Sequence, residues 1–343
     1  MSKYIEISGR KIGQDYDPVV IAEMGINPAG NLEVAKAMVD SAYEVGIEII
    51  KNQTHLPEEN VKIGNLEEKH FYDDAEKNMF TEEQERELKA YVESKGMIFL
   101  SAPFSFAAVD RLERMNVAAY KISSSEMDNY ALVEYVASKR KPIILSTGMN
   151  NIESVKKAVN TIKKYHENFA IQHCTNIYPT PPDKIRLNSL KELEEAFPGE
   201  ILGLSDHSLN NYSCYAAMTL GASIVERHFT DKKDRPGKEI AWSMDAQEAK
   251  ELVAYSKIIH KMQAGKKEKL QEEIDEFAEK RKKINVLVTS KRLIKNSTIT
   301  KADLTTKTVI GSGIPAEELY RVMWKKSKKD LPADYILKWE DII

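Results

Sequence analysis

Short apolar runs alternate with longer amphipathic stretches over most of the chain. The runs are Val19–Ala22, Glu48–Ile50, Met97–Ser101, Ala118–Ile122, Pro142–Ser146, Phe169–His173, Ile201–Leu204 and Ser223–Val225. They are rich in Ile, Val and Leu and are separated by segments of helical period such as Leu32–Val45, Glu82–Ser94 and Ile152–Tyr165. That alternation predicts parallel βαβ units. Eight such runs fit a TIM barrel better than an open sheet. One connection departs from the pattern. Thr54 to Thr81 is long and polar, and it predicts a loop of its own, of the kind that covers an active site.

The pattern changes after Ala246. Gln247–Met262 predicts the last barrel helix, and a charge-rich stretch to Lys283 reads as a solvated linker helix with Glu and Lys at i,i+4 spacing. From Ile284 the composition turns β-like, with Ile284–Ser290, Ser297–Thr300 and Leu304–Ile310 as short strands and Gly311–Pro315 as a loop. The predicted organisation is an α/β chain: a (β/α)8 barrel over 1–265, a charged linker over 266–283 and a small β-rich domain over 284–343. So small a domain has a thin core on its own. It is expected to pack on its own barrel or on a neighbouring chain.

Composition narrows the partners. Net charge is −3, which offers no general attraction to nucleic acid or an anionic membrane. Cys174 and Cys214 lack metal-type spacing and are expected to be buried free thiols in a reducing compartment. The first residues carry no signal-like apolar stretch, and no uncharged run is long enough to span a bilayer. A cytoplasmic location is therefore expected.

Candidate chemistry collects at the strand ends. His207 and His228 each follow a predicted strand. If those strands are parallel neighbours, both imidazoles reach one rim of one sheet. Two imidazoles suit a borderline divalent metal and leave positions open for water and substrate. Around them the other strand ends place Glu23, Lys51, Gln53, Lys121, Ser124, Glu126, Ser146, Asn176, Tyr178, Ser205 and Glu226. A Lys ending a buried strand needs an anionic partner. Two of them, among hydroxyls and an Asn, suit a phosphorylated anionic substrate. Glu23 and Glu226 can handle protons or orient a metal-bound water.

These residues sit in recognisable phrases: Ile21-Ala-Glu-Met-Gly-Ile-Asn27, Lys51-Asn-Gln53, Leu100-Ser-Ala-Pro-Phe104, Tyr120-Lys-Ile-Ser-Ser-Ser-Glu126, Leu145-Ser-Thr-Gly-Met149, His173 to Pro181, Gly203-Leu-Ser-Asp-His207 and Val225-Glu-Arg-His-Phe229. In this order they resemble the N-acetylneuraminate (sialic acid) synthase family over essentially the whole chain. Leu293 to Leu304 resembles part of that family's antifreeze-like (SAF) domain. The resemblance implies condensation of phosphoenolpyruvate with the open-chain aldehyde of an N-acylated hexosamine, such as N-acetylmannosamine. The product is a nine-carbon 2-keto sugar acid plus phosphate. It further implies that His207 and His228 hold a divalent metal, usually manganese, with magnesium or cobalt as alternatives. Lys51, Lys121, Ser124, Ser146, Asn176, Tyr178 and Ser205 would bind phosphoenolpyruvate. Glu23, Glu126 and Glu226 would be the acidic catalytic groups, and Gln53 and Glu239 would face the acceptor sugar. Family members are homodimers in which the small domain of one chain caps the barrel of the other.

The chain departs from the family on the acceptor side. Pro28 and Ala29 replace a His and an Asn, Ala102 replaces a Thr, and Glu239 replaces an Asp. The small domain's usual Arg falls on Thr308 or Val309, neither of which has its length or its fork of donors. Three readings follow: a synthase with a modified acceptor, a sialic acid synthase in which Arg235 or Arg292 compensates, or a paralogue that binds sugar or phosphoenolpyruvate without turnover. A synthase of shorter keto sugar acids from a sugar phosphate is a further alternative. It would need a second basic cluster, for which Lys232, Lys233 and Arg235 are available.

Overall fold

The computed structural model describes residues 2–263, 270–280 and 283–343. Eight parallel strands form a closed barrel. A hairpin of β1 (Tyr4–Ile7) and β2 (Arg10–Gly13) precedes it. The barrel strands are β3 (Val19–Glu23), β4 (Ile49–Thr54), β5 (Ile98–Pro103), β6 (Tyr120–Ile122), β7 (Ile143–Ser146), β8 (Phe169–Cys174), β9 (Ile201–Asp206) and β10 (Ile224–His228). They follow one another in order, and β10 closes on β3 with Ile224 opposite Val19. Several strands run past their predicted ends: β4 to Thr54, β9 to Asp206 and β10 to His228. Those extensions are polar, because they form the wall of a cavity.

Two faces of each strand have different tasks. Outward side chains such as Val20, Ile50, Phe99, Leu145, Ile171 and Val225 join the core shared with the helices. Inward side chains change character along the barrel axis. Near the start of the strands Val19, Ile21, Ile49, Ile98, Ile144 and Ile224 pack together with Ile5, Ile7 and Ile12 of the hairpin. The hairpin thus plugs the bottom of the barrel with apolar surface. Two or four residues further along, the same inward rows read Glu23, Lys51, Gln53, Lys121, Ser146 and Glu226. The top of the barrel is therefore polar and faces the loops that follow the strands.

The segment after β4 is not the single loop that its polarity predicts. It holds helices Pro57–Asn60 and Leu66–Asn78. The second buries none of its residues, so no apolar stripe announced it. A capping box between Asn65 and Glu68 was the available signal.

The chain divides into two compact units, residues 1–264 and 265–343. In the second, Gln271–Lys280 is helical, whereas the rest of the predicted linker lies partly outside the described residues. β11 (Lys283–Thr289) pairs antiparallel with β12 (Leu304–Ile310). The predicted strand at Ser297–Thr300 reduces to one bridge between Thr298 and Lys326. Leu287, Leu293, Ile299, Ile314, Val322, Leu331, Leu337 and Ile342 form a small core of this unit's own. Among the described residues no helix is long and apolar enough to cross a membrane. Cys174 and Cys214 are free and buried.

Ile12 is fully buried in the plug. Ile12→Ala is expected to lower unfolding free energy by about 2–5 kcal/mol, read by urea denaturation, because the cavity it leaves is walled by strands that cannot close in.

Candidate active site

A cavity of about 330 Å³ opens at the C-terminal end of the barrel. It is lined by Glu23, Lys51, Gln53, Lys121, Ser124, Ser146, Asn176, Tyr178, Ser205, His207, Glu226, His228 and Glu239. Of the residues expected to serve catalysis, substrate or metal, Glu126 alone does not line it. Glu126 sits in the short turn after β6, accepts from Asn129 Nδ2 at 3.1 Å, and is shifted above its ordinary carboxylate pKa by burial.

The floor of the cavity is a buried charge cluster. Lys51 Nζ lies 2.6 Å from Glu23 Oε2 and 3.3 Å from Glu226 Oε1. Lys121 Nζ lies 3.3 Å from Glu226 Oε2 and donates to Ser146 Oγ at 2.7 Å. Gln53 Nε2 donates to Glu23 Oε1 at 2.6 Å. Burial alone would push Glu226 toward its neutral acid, but the charges of Lys121 and Lys51 hold it down at about 2. Lys51 is likewise desolvated, yet Glu226 and Glu23 keep it above its ordinary value. Two lysines face two carboxylates here; opposite charge outweighs burial at Lys51 and Glu226, whereas burial leaves Lys121 below its ordinary value.

Beside the cluster stand the histidines. β9 and β10 are neighbours, and the rings of His207 and His228 lie 5.4 Å apart. His207 Nδ1 donates to the Thr175 carbonyl at 2.9 Å, which leaves Nε2 as a lone-pair donor. His228 Nδ1 is buried without an aligned hydrogen bond, and Glu239 Oε2 stands 3.2 Å from it. Burial and the neighbouring His228 hold His207 neutral, with its pKa lowered to about 3. Gly25, at φ +53°, leaves room for this group, since a Cβ there would collide with the Glu239 carboxylate and come within 2.9 Å of His228 Nδ1. Among the described residues no group of three or more His, Cys, Asp or Glu is arranged to hold a metal. A cation here would have two imidazoles, and its other positions would go to water or substrate. Two free imidazole nitrogens, one backed by a carboxylate and one by a carbonyl, fit a borderline divalent ion.

Sequence reading missed two aromatic residues at this mouth. Phe104 lines the cavity rather than packing in the core. His55 stacks on it at 3.9 Å with its Nε2 3.1 Å from Gln53 Oε1. Their sequence gave only a His two residues beyond Gln53. Trp242 lies 5.6 Å from the Tyr178 ring, whereas Met244 is fully buried in the core. Tyr120 and Phe229 are core residues. Lys233 and Arg235 do not form a second anion site, because Lys233 pairs with Glu248 and Arg235 with Asp231.

Comparison with known proteins gives the family. The NeuB family pattern matches residues 38–269 and the SAF domain pattern residues 284–343. The chain belongs to the NeuB family. The synthase is 33% identical to an uncharacterised protein of Methanocaldococcus jannaschii, over 99% of its own length and 98% of the relative's. It is 30% identical to the N,N'-diacetyllegionaminic acid synthase of Legionella pneumophila, over 98% and 99% of the two chains. Among solved structures it resembles the N-acetylneuraminic acid synthetase of Leptospira borgpetersenii, crystallised with citrate. That match has a TM-score of 0.75 and 28% identity, and it covers 82% of this chain and 97% of the other. The chain is thus a phosphoenolpyruvate-dependent synthase of the nonulosonic acid group with a SAF domain at its C-terminal end.

The charge cluster makes a pH prediction. Glu226 is held at about 2 against an ordinary 4.5, so its ion pairs contribute fully above about 4.5 and are lost as pH falls toward about 2. The gap in unfolding free energy between wild type and Glu226→Gln is expected to narrow over that window in denaturant titrations. A gap of constant size would contradict the cluster.

Proposed function

We propose that the synthase joins phosphoenolpyruvate to the open-chain aldehyde of an N-acylated hexosamine, releasing phosphate and a nine-carbon 2-keto acid. The observation that carries this reading is the buried Lys51–Glu226–Lys121 cluster beside two imidazoles in one cavity. Lys51 and Lys121 supply charge for the carboxylate and phosphate of phosphoenolpyruvate, and Ser124, Ser146, Asn176, Tyr178 and Ser205 supply hydrogen bonds. His207 and His228 would hold a divalent cation, manganese in the first instance, which when bound polarises the sugar carbonyl. A bond forms between C3 of phosphoenolpyruvate and the aldehyde carbon, and the aldehyde oxygen takes up a proton. Water adds at C2, and phosphate leaves with the electrons of the C2–O bond, so that C2 becomes the keto carbon. Glu23 and Glu226, within reach of Lys51, are the groups placed to move those protons. Glu126 stands outside the cavity and is not assigned a proton.

The acceptor side favours a sugar other than N-acetylmannosamine. Gln53, Phe104, Glu239 and Trp242 shape that side. Arg235 does not replace the family's Arg, because both its Nε and Nη2 bind Asp231 at 2.5 Å. Thr308 at the corresponding place donates to Asn285 within its own unit. Relatives that make different sugar acids stand at nearly equal distance from this chain, so identity does not select the acceptor. The active form is a homodimer in which a second copy covers the mouth. Ile177, Leu209 and Met149 stand exposed on the loops after the strands, and Tyr212 at the start of the helix after β9, an apolar rim that a lone barrel would leave in water.

Phosphate release from phosphoenolpyruvate is the test, with manganese present and a panel of N-acylated and deoxy hexoses as acceptors, each run with and without a chelator. Chelator-sensitive release with a modified hexosamine above that with N-acetylmannosamine is expected. Release from sugar phosphates alone, or from no aldose, would overturn the assignment.

A further inference from the structure

Behind the two histidines lies a buried ion pair that touches no part of the cavity. Asp206 and Arg227 are register partners on β9 and β10, and each immediately precedes a histidine. Because side chains alternate along a strand, they point outward where His207 and His228 point in. Arg227 is 1% exposed and Asp206 4%. Arg227 Nη1 donates to Asn211 Oδ1 at 2.6 Å, and Nη2 donates to the Ser208 carbonyl at 2.7 Å and to the Trp242 carbonyl at 3.5 Å. Its Nε lies 3.4 Å from Asp206 Oδ2, which also accepts from Ser208 Oγ at 2.7 Å. Asn211 in turn donates to the Glu248 carbonyl at 2.8 Å. One guanidinium therefore ties the loop after β9, the segment after β10 and the end of β9 itself.

Stability does not account for this arrangement. A fully desolvated ion pair gains little over well-packed apolar residues of the same volume. A planar fork does what apolar residues cannot: it fixes direction as well as distance. The direction fixed here is the relative placement of the two strand ends that carry the imidazoles. The Thr175 carbonyl orients the ring of His207 but does not set its separation from His228.

We infer that Asp206 and Arg227 are positioning residues that set the spacing of His207 and His228 and, through it, the affinity and geometry with which this site takes a divalent cation. The inference rests on the reading that these histidines hold a metal. The pair touches neither substrate nor cation.

Mn2+ binding to the full chain, followed by the electron paramagnetic resonance of free Mn2+, tests it, together with the visible absorption of the Co2+-loaded protein. Wild type is expected to bind Mn2+ in a manner abolished by His207→Ala. Arg227→Lys and Asp206→Asn are each expected to weaken binding by about 10–100-fold, the usual effect of losing a group that orients a ligand, and to shift the Co2+ bands. A double variant, Asp206→Leu with Arg227→Met, removes both charges and guards against a simple failure to fold. It is expected to unfold at or above the wild-type temperature and still bind Mn2+ weakly. Wild-type affinity and an unchanged Co2+ spectrum in that folded double variant would overturn the positioning role. Mn2+ binding that is absent from wild type, or unaffected by His207→Ala, would overturn the metal reading and this inference with it. That outcome is distinct from tight, His207-dependent binding that survives loss of the pair.

Discussion

Two lysines are buried at the top of a closed barrel, and the carboxylates of the site stand where they offset that burial. Lys51 and Lys121 are almost wholly removed from water, and burial by itself drives a Lys toward its neutral form. Glu226 lies between them and Glu23 beside Lys51. The cluster is balanced without a ligand. A phosphorylated carboxylic acid adds negative charge to it, and a cation on the neighbouring histidines would offset that addition. On the proposed function, anion and cation sites would be coupled through the charges between them.

The scaffold supports this cluster from two directions. Below, the β1–β2 hairpin and the apolar inward residues seal the barrel, so that the polar rows end in a closed floor. From outside, buried polar groups hold the strand ends. Glu85, on the helix before β5, accepts from Asn52 Nδ2 at 2.9 Å and also from Thr54, whose hydroxyl meets Ser101 at 2.7 Å. Asn52 and Thr54 are the outward neighbours of Lys51 and Gln53 on β4, as Asp206 and Arg227 are of the two histidines. In both places a residue that lines the cavity alternates with a buried polar one on the outer face of its strand.

The barrel was legible because strands buried on both faces are nearly continuous apolar runs, and eight of them stand in register with amphipathic helices. The inward site residues were legible because a Lys, Glu or His at the end of such a run has no bland explanation. The missed features share a cause. Tyr4–Ile7 and Arg10–Gly13 are too short and too mixed to stand out as a hairpin, although Ile5, Ile7 and Ile12 plug the barrel. The helix Leu66–Asn78 has no apolar face to give it a period. His55 earns its place by stacking on Phe104, a contact between β4 and β5 loops that sequence does not display. Glu126 sits one turn beyond the last inward residue of its strand, and a motif cannot say where its phrase turns away from the cavity.

The charge cluster as an anion site is the centre of this account, and calorimetric titration of the protein with phosphoenolpyruvate tests it most directly. Wild type is expected to bind phosphoenolpyruvate without any sugar present. Lys51→Met, folded as judged by circular dichroism, is expected to lose that binding by a factor on the order of 100, the scale of a buried charge-assisted contact. Equal affinity in the two proteins would place the phosphorylated substrate elsewhere and contradict the account.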